Sequence, residues 1–168
     1  MQALLSAAQA AGFEAKILPS AELVFDNSFR RYCEENRCGN YGANLSCPPS
    51  CGTPEQMRQT VSGKTHALVL RSEWVMDWHD AAALRDARRS HSERAQALPV
   101  PGEAVYAGAG ECTVCEVCAG RTGGSCRFPK KRYSCLSAWC VDVAALAEKC
   151  GFSYYADGKI SFFSVTWF

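Results

Sequence analysis

Eight cysteines fall into two short runs, and their spacing restricts this chain more than any other pattern in it. The first run is Cys33-x4-Cys38-x8-Cys47-Pro-Pro-x-Cys51, and the second is Cys112-x2-Cys115-x2-Cys118-x7-Cys126. A Cys-x2-Cys-x2-Cys triplet places three thiolates on one tight loop, facing a common centre. Cubane iron–sulfur clusters need several corners held from such a loop, and bacterial ferredoxin loops use the same triplet. Structural zinc more often joins two separated pairs into a tetrahedron. Complete disulfide pairing is impossible, because the chain has 11 cysteines, an odd number. The spacing therefore predicts two [4Fe–4S] sites. Cys33, Cys38, Cys47 and Cys51 would hold one, and Cys112, Cys115, Cys118 and Cys126 the other, with zinc as the alternative metal.

The second run departs from the ferredoxin pattern, in which the triplet is followed by x3 and Cys-Pro. Here the fourth cysteine follows after x7, and the Cys-Pro dipeptide is Cys47-Pro48, in the other run. Ligands can therefore cross between the runs, and the pairing of cysteines into centres stays open. Cys51 follows Pro48-Pro49-Ser50 and reaches the centre of Cys47 only if the chain turns after Pro49, which Ser50 and Gly52 permit. Without Cys51, three thiolates would leave one iron open to a small substrate or sulfide.

The remaining sequence is that of a globular protein. At 168 residues the chain has the length of a single domain, spanning 1–168. Hydrophobic residues make up 48% and charged residues 21%, which argues against disorder. The net charge of +1 gives little support to nucleic-acid binding, and the apolar runs are too short to span a membrane. Met1–Phe13 has no basic start and reads as a first helix rather than an export signal. The expected compartment is the reducing cytoplasm, where clustered cysteines usually mean metal.

Periodicity and turn signals predict an α+β fold: a small mixed sheet covered by helices, two Cys-rich metal-binding loops and a C-terminal β-hairpin. Strands are expected at Phe13–Pro19, Thr65–Arg71 and Glu103–Ala107. The Arg30–Pro54 segment reads as loop. Thr53 is a candidate N-cap with Gln56 three residues on. Trp74–Leu98 reads as one long helix and Ser137–Lys149 as another, ended by Gly151. Phe152–Ala156 and Lys159–Trp167 flank an Asp157-Gly158 turn. Cys140 and Cys150 read as packing residues, Cys135 lies closer to the cluster loop, and the four tryptophans read as core or a dry shield.

The motifs Cys33…Arg37-Cys38-Gly39-Asn40-Tyr41-Gly42…Cys47-Pro48-Pro49, then Ala107-Gly108-Ala109-Gly110, the Cys112 triplet, Cys126-x2-Pro129, Arg132-x-Ser134 and Val141-Asp142-Val143 together resemble a widespread prokaryotic domain family of unknown function regarded as metal-binding. The resemblance covers most of residues 30–155 in order. It implies metal or iron–sulfur binding without naming a reaction. It also implies that Cys33, Cys38 and Cys47 form the first motif, Cys51 being additional to it.

Eight of the 18 cations flank the two runs: Arg30, Arg31, Arg37, Arg121, Arg127, Lys130, Lys131 and Arg132. Such cations can balance the negative charge of a thiolate cluster. The leading expectation is an iron–sulfur protein with two [4Fe–4S] clusters, serving electron transfer or redox support of a partner protein, with no nucleic-acid or membrane partner. An enzyme with an open-site cluster and a zinc-stabilised binding module are the alternatives.

Overall fold

The computed structural model describes residues 1–155 and 158–168. Its centre is a five-stranded mixed sheet in the order β1-β2-β5-β3-β4. These strands are β1 (Glu14–Pro19), β2 (His66–Trp74), β3 (Val105–Gly108), β4 (Ser134–Cys135) and β5 (Ile160–Trp167). The β1–β2, β2–β5 and β5–β3 pairs are antiparallel, whereas β3 and β4 run parallel.

Alternation along β2 builds two cores. Ala67 and Val69 face one side, with Phe163, Val165 and Trp167 of β5; Leu68 and Leu70 face the other. Full burial of one such aliphatic side chain is worth about 1.5–3 kcal/mol. The second face is covered by α1 (Gln2–Ala10) and α4 (Ala81–Gln96), through Leu4, Ala8 and Ala95. The first is covered by α3 (Pro54–Gln59), α5 (Leu136–Trp139) and α6 (Val143–Cys150), through Met57, Leu136, Trp139 and Leu146. The expected sheet covered by helices is thus present.

Local signals explain several boundaries. Thr53 and Gln56 close a capping box on α3, with Pro54 in the first turn. Gly151 ends α6 in the left-handed conformation. The expected long helix is shorter than its periodicity suggested. Asp80 caps α4 by accepting from the amides of Ala82 and Ala83. Trp74 instead ends β2, and Trp78 is 68% exposed, so it is not core. The segment read as loop contains a short helix, α2 (Arg30–Glu34).

The expected last helix is also divided. Cys140 stands at φ 60 between α5 and α6, and Asp142 caps α6 by accepting from the amide of Ala145 at 3.0 Å. Both Cys140 and Cys150 are buried, in keeping with a packing role. Of the expected terminal hairpin, its second arm is β5, which pairs with β2 and β3. Phe152–Tyr155 carries no strand, and the Ala156-Asp157 part of the turn lies outside the described residues.

Candidate metal centres

The second cysteine run fills the connection from the end of β3 to β4. β3 ends at Gly108, and the chain passes through Gly110 and Glu111 into Cys112. A Cβ on Gly108 would stand 2.5 Å from Cε2 of Tyr133, so the absence of a side chain lets that ring lie flat against the strand. The Tyr133 hydroxyl then accepts from the amide of Thr113 at 3.1 Å and lies 2.9 Å from its Oγ1. This fixes the start of the second run. The Arg85 guanidinium reaches the carbonyls of Cys115 and Glu116, and Arg127 donates to the carbonyl of Val117 at 2.6 Å. Cys112, Cys115, Cys118 and Cys126 all line one narrow cavity of about 20 Å³, together with Leu45, Ser46, Arg127 and Arg132. The spacing-based set of four is therefore brought together.

The first run is arranged differently. Cys33 is on α2, Cys38 is on the exposed loop that follows, and Cys47 is buried at the end of a hydrogen-bonded turn begun by Asn44. All three line a second cavity of about 320 Å³. Cys135 lines the same cavity, as do Tyr41, Arg88 and Glu111. Cys33 and Cys135 face each other across this cavity as two of its lining residues. The neighbouring Cys33 thiol draws Cys135 below the ordinary thiol value, whereas burial pushes Cys47 up to about 12.

Cys51 faces elsewhere. Its amide turns back to the carbonyl of Cys47 at 3.1 Å, so the chain does turn after Pro49. The side chain, however, lines a third cavity of about 690 Å³, with Met57, Tyr106, Tyr133 and Trp139 among its walls. Arg30, itself buried, places Nη1 at 3.5 Å from the Cys51 Sγ, and its Nη2 bonds the carbonyl of Gly52.

Consecutive residues join the two thiol-lined cavities: Leu45 and Ser46 line one and Cys47 the other. The amide of Leu45 donates to the Cys118 Sγ at 3.4 Å, and the next residue, Ser46, has its Oγ 3.9 Å from the Cys47 Sγ. Gly120, in the turn after Cys118, packs so closely on Leu45 that a Cβ would come within 2.8 Å of its Cγ. Arg121 spans the two loops by donating to Asn40 Oδ1 at 2.8 Å, and Arg132 reaches the Leu45 carbonyl at 3.4 Å. Several of the flanking cations thus hold loop carbonyls in place. Arg37 instead makes an exposed pair with Glu35 at 3.0 Å.

Among the described residues, no three His, Cys, Asp or Glu side chains converge closely enough to hold a single metal ion. The thiols are spread around cavity walls instead. No described helix is long and apolar enough to cross a membrane.

A cysteine-rich α+β protein with two thiol-lined cavities is the class that this fold and these sites define. The chain belongs to the family described as "Predicted metal-binding protein (DUF2284)", which matches residues 16–167. No curated protein matches the chain, and neither does any solved structure.

Proposed function

We propose that this metal-binding protein is an iron–sulfur protein with two adjacent [4Fe–4S] clusters, moving single electrons to or from a partner protein. The observation that supports the reading is the pair of thiol-lined cavities joined by the Leu45–Cys47 segment, with Leu45 and Ser46 lining one and Cys47 the other. Four thiols spaced around a cavity suit an object with several metal corners, whereas tetrahedral zinc needs its sulfurs about 2.3 Å from one point. Cys112, Cys115, Cys118 and Cys126 would hold one cluster, and Cys33, Cys38 and Cys47 would supply three corners of the other. Such clusters supply reversible one-electron chemistry when bound. The chain's own part is to hold them close together, with amides and cations directed at the sulfurs and loop carbonyls.

A second reading is favoured by the placement of Cys51. With that thiol facing another cavity, the first run offers three thiolates, as an enzyme with an open-site cluster would require.

The deciding measurement on the full chain is anaerobic iron, zinc and acid-labile sulfide analysis with an absorption spectrum. Brown protein with near-equal iron and sulfide is the expected result. Colourless protein holding zinc would replace the iron–sulfur reading with a zinc-stabilised module.

A further inference from the structure

We propose that Cys135, and not Cys51, is the fourth thiolate of the centre formed by Cys33, Cys38 and Cys47. The inference rests on the reading of that centre as a metal site. It departs from the spacing in sequence, which paired Cys51 with the first run.

Three observations carry it. Cys135 lines the cavity of Cys33, Cys38 and Cys47, whereas Cys51 lines a different one. Strand geometry gives the reason. Ser134 and Cys135 are successive residues of β4, paired in parallel with Ala107 and Gly108 of β3. Successive strand residues point to opposite faces. Ser134 accordingly lines the 690 Å³ cavity, and Cys135 lines the thiol-walled one.

Hydrogen bonding separates the two candidates further. The Cys135 Sγ accepts from the amide of Ala138 at 3.4 Å. A backbone amide directed at sulfur stabilises a thiolate and is a usual partner of cluster ligands. Cys51 has its sulfur engaged by the buried Arg30, whose other nitrogen is anchored on Gly52 and so holds this thiol with its own turn.

The consequence is chemical. A centre with four thiolates is coordinatively closed and exchanges electrons without an open iron. The open-site enzyme reading then loses its vacant corner at this centre, and Cys51 remains a free thiol. The ligand set also crosses between the two cysteine-rich segments, so the first centre forms only after β3 and β4 have paired.

The test compares Cys135→Ser, Cys135→Ala and Cys51→Ser with the unsubstituted full chain after anaerobic reconstitution. Iron, zinc and sulfide content and spin-resonance spectra of the reduced proteins are measured, and far-ultraviolet circular dichroism monitors the fold. Serine retains an acceptor for the Ala138 amide, so Cys135→Ser keeps the cap of α5.

Cys135→Ala is expected to lose one cluster, about half of the iron and sulfide. Cys135→Ser should either lose that cluster or show an altered spectrum, with the fold intact. Cys51→Ser should match the unsubstituted protein in both respects. Full metal content and an unchanged spectrum in Cys135→Ser would overturn the assignment. So would a loss in Cys51→Ser, whatever the Cys135 variants do. Zinc in place of iron in the unsubstituted protein would remove the iron–sulfur reading alone, since the zinc content of the same variants still decides the ligand. A chain that takes up no metal removes both.

Discussion

The hydroxyl of Ser46 accepts a hydrogen bond from the amide of Cys112 at 3.2 Å. This contact joins the start of the second cysteine run to the residue before Cys47. Ser46 is buried, and it also bonds Asn44 Oδ1 at 2.9 Å. Its substitution therefore affects both candidate centres. Ser46→Ala leaves the Cys112 amide without this partner, a loss that typically costs about 1–3 kcal/mol for a buried group. The expected result is a lower unfolding midpoint for the anaerobic protein, with a shift in the spectra of both centres. A midpoint and spectra equal to those of the unsubstituted chain would show that this contact does not couple the loops.

Gly108 provides a steric test of how the second run is positioned. Gly108→Ala directs a methyl group into the Tyr133 ring, 2.5 Å from Cε2 and 2.8 Å from Cδ2. The ring must move, and its hydroxyl then leaves the Thr113 amide. Overpacking of this kind costs about 1–3 kcal/mol. Thermal unfolding should show that loss, and metal content should fall with it. Gly151→Ala serves as a control, because an added Cβ there meets nothing within 4 Å. That variant strains only the helix end and should keep its metal.

Local chemistry was legible in the sequence where it acts over a few residues. The Thr53 capping box, the Gly151 helix end and the buried strand at Thr65–Arg71 were all readable, because each rests on neighbours along the chain. The α4 start was misplaced because Trp74 and Trp78 happen to continue its spacing. Asp80, which sets the boundary, was outweighed by that apolar pattern. Cys135 had no comparable local signal. It reaches the first cavity through a two-residue parallel pairing with β3, a long-range contact that spacing cannot encode. Arg30 was read only as a cation flanking the first run, and the structure buries it against Cys51 and Met57. The hydrophobic runs do not reveal which arginine the fold encloses.

His91 gives the fold an acid-sensitive point away from the cysteines. It is fully buried on α4, with Nδ1 2.7 Å from Ser72 Oγ on β2 and Nε2 2.8 Å from Ser164 Oγ on β5. Phe13 and Phe162 pack on its ring. Burial, aided by the nearby Arg94 charge, holds it down to about 3 from the ordinary 6.5. The unfolded chain therefore takes up a proton near pH 6.5 that the folded chain refuses. This contribution to stability is complete above pH 6.5 and declines as pH falls toward 3, by up to about 1.4 kcal/mol per pH unit. Denaturant unfolding between pH 7.5 and 5 should show that slope, and His91→Gln should reduce it. Equal slopes in the two proteins would mean that another group governs acid sensitivity.

Metal should order the two loop regions more than it orders the sheet. Residues 30–54 and 110–136 contain the short helix α2, turns and the short strand β4, and few of their side chains enter the two cores. Ordering each backbone residue costs about 1–2 kcal/mol. The contacts that offset this cost include Leu45 to Cys118 and Ser46 to Cys47, which end on the sulfurs proposed to bind metal. By contrast, β2 and α4 meet through fully buried groups such as Leu68, Leu70 and His91. Chelation or air oxidation of the full chain is thus expected to open both loop regions to protease first, leaving residues 66–96 protected. Mass spectrometry of the early fragments reads this directly. Cleavage spread evenly along the chain, or an unchanged pattern after metal removal, would show that the loops are ordered by their own packing.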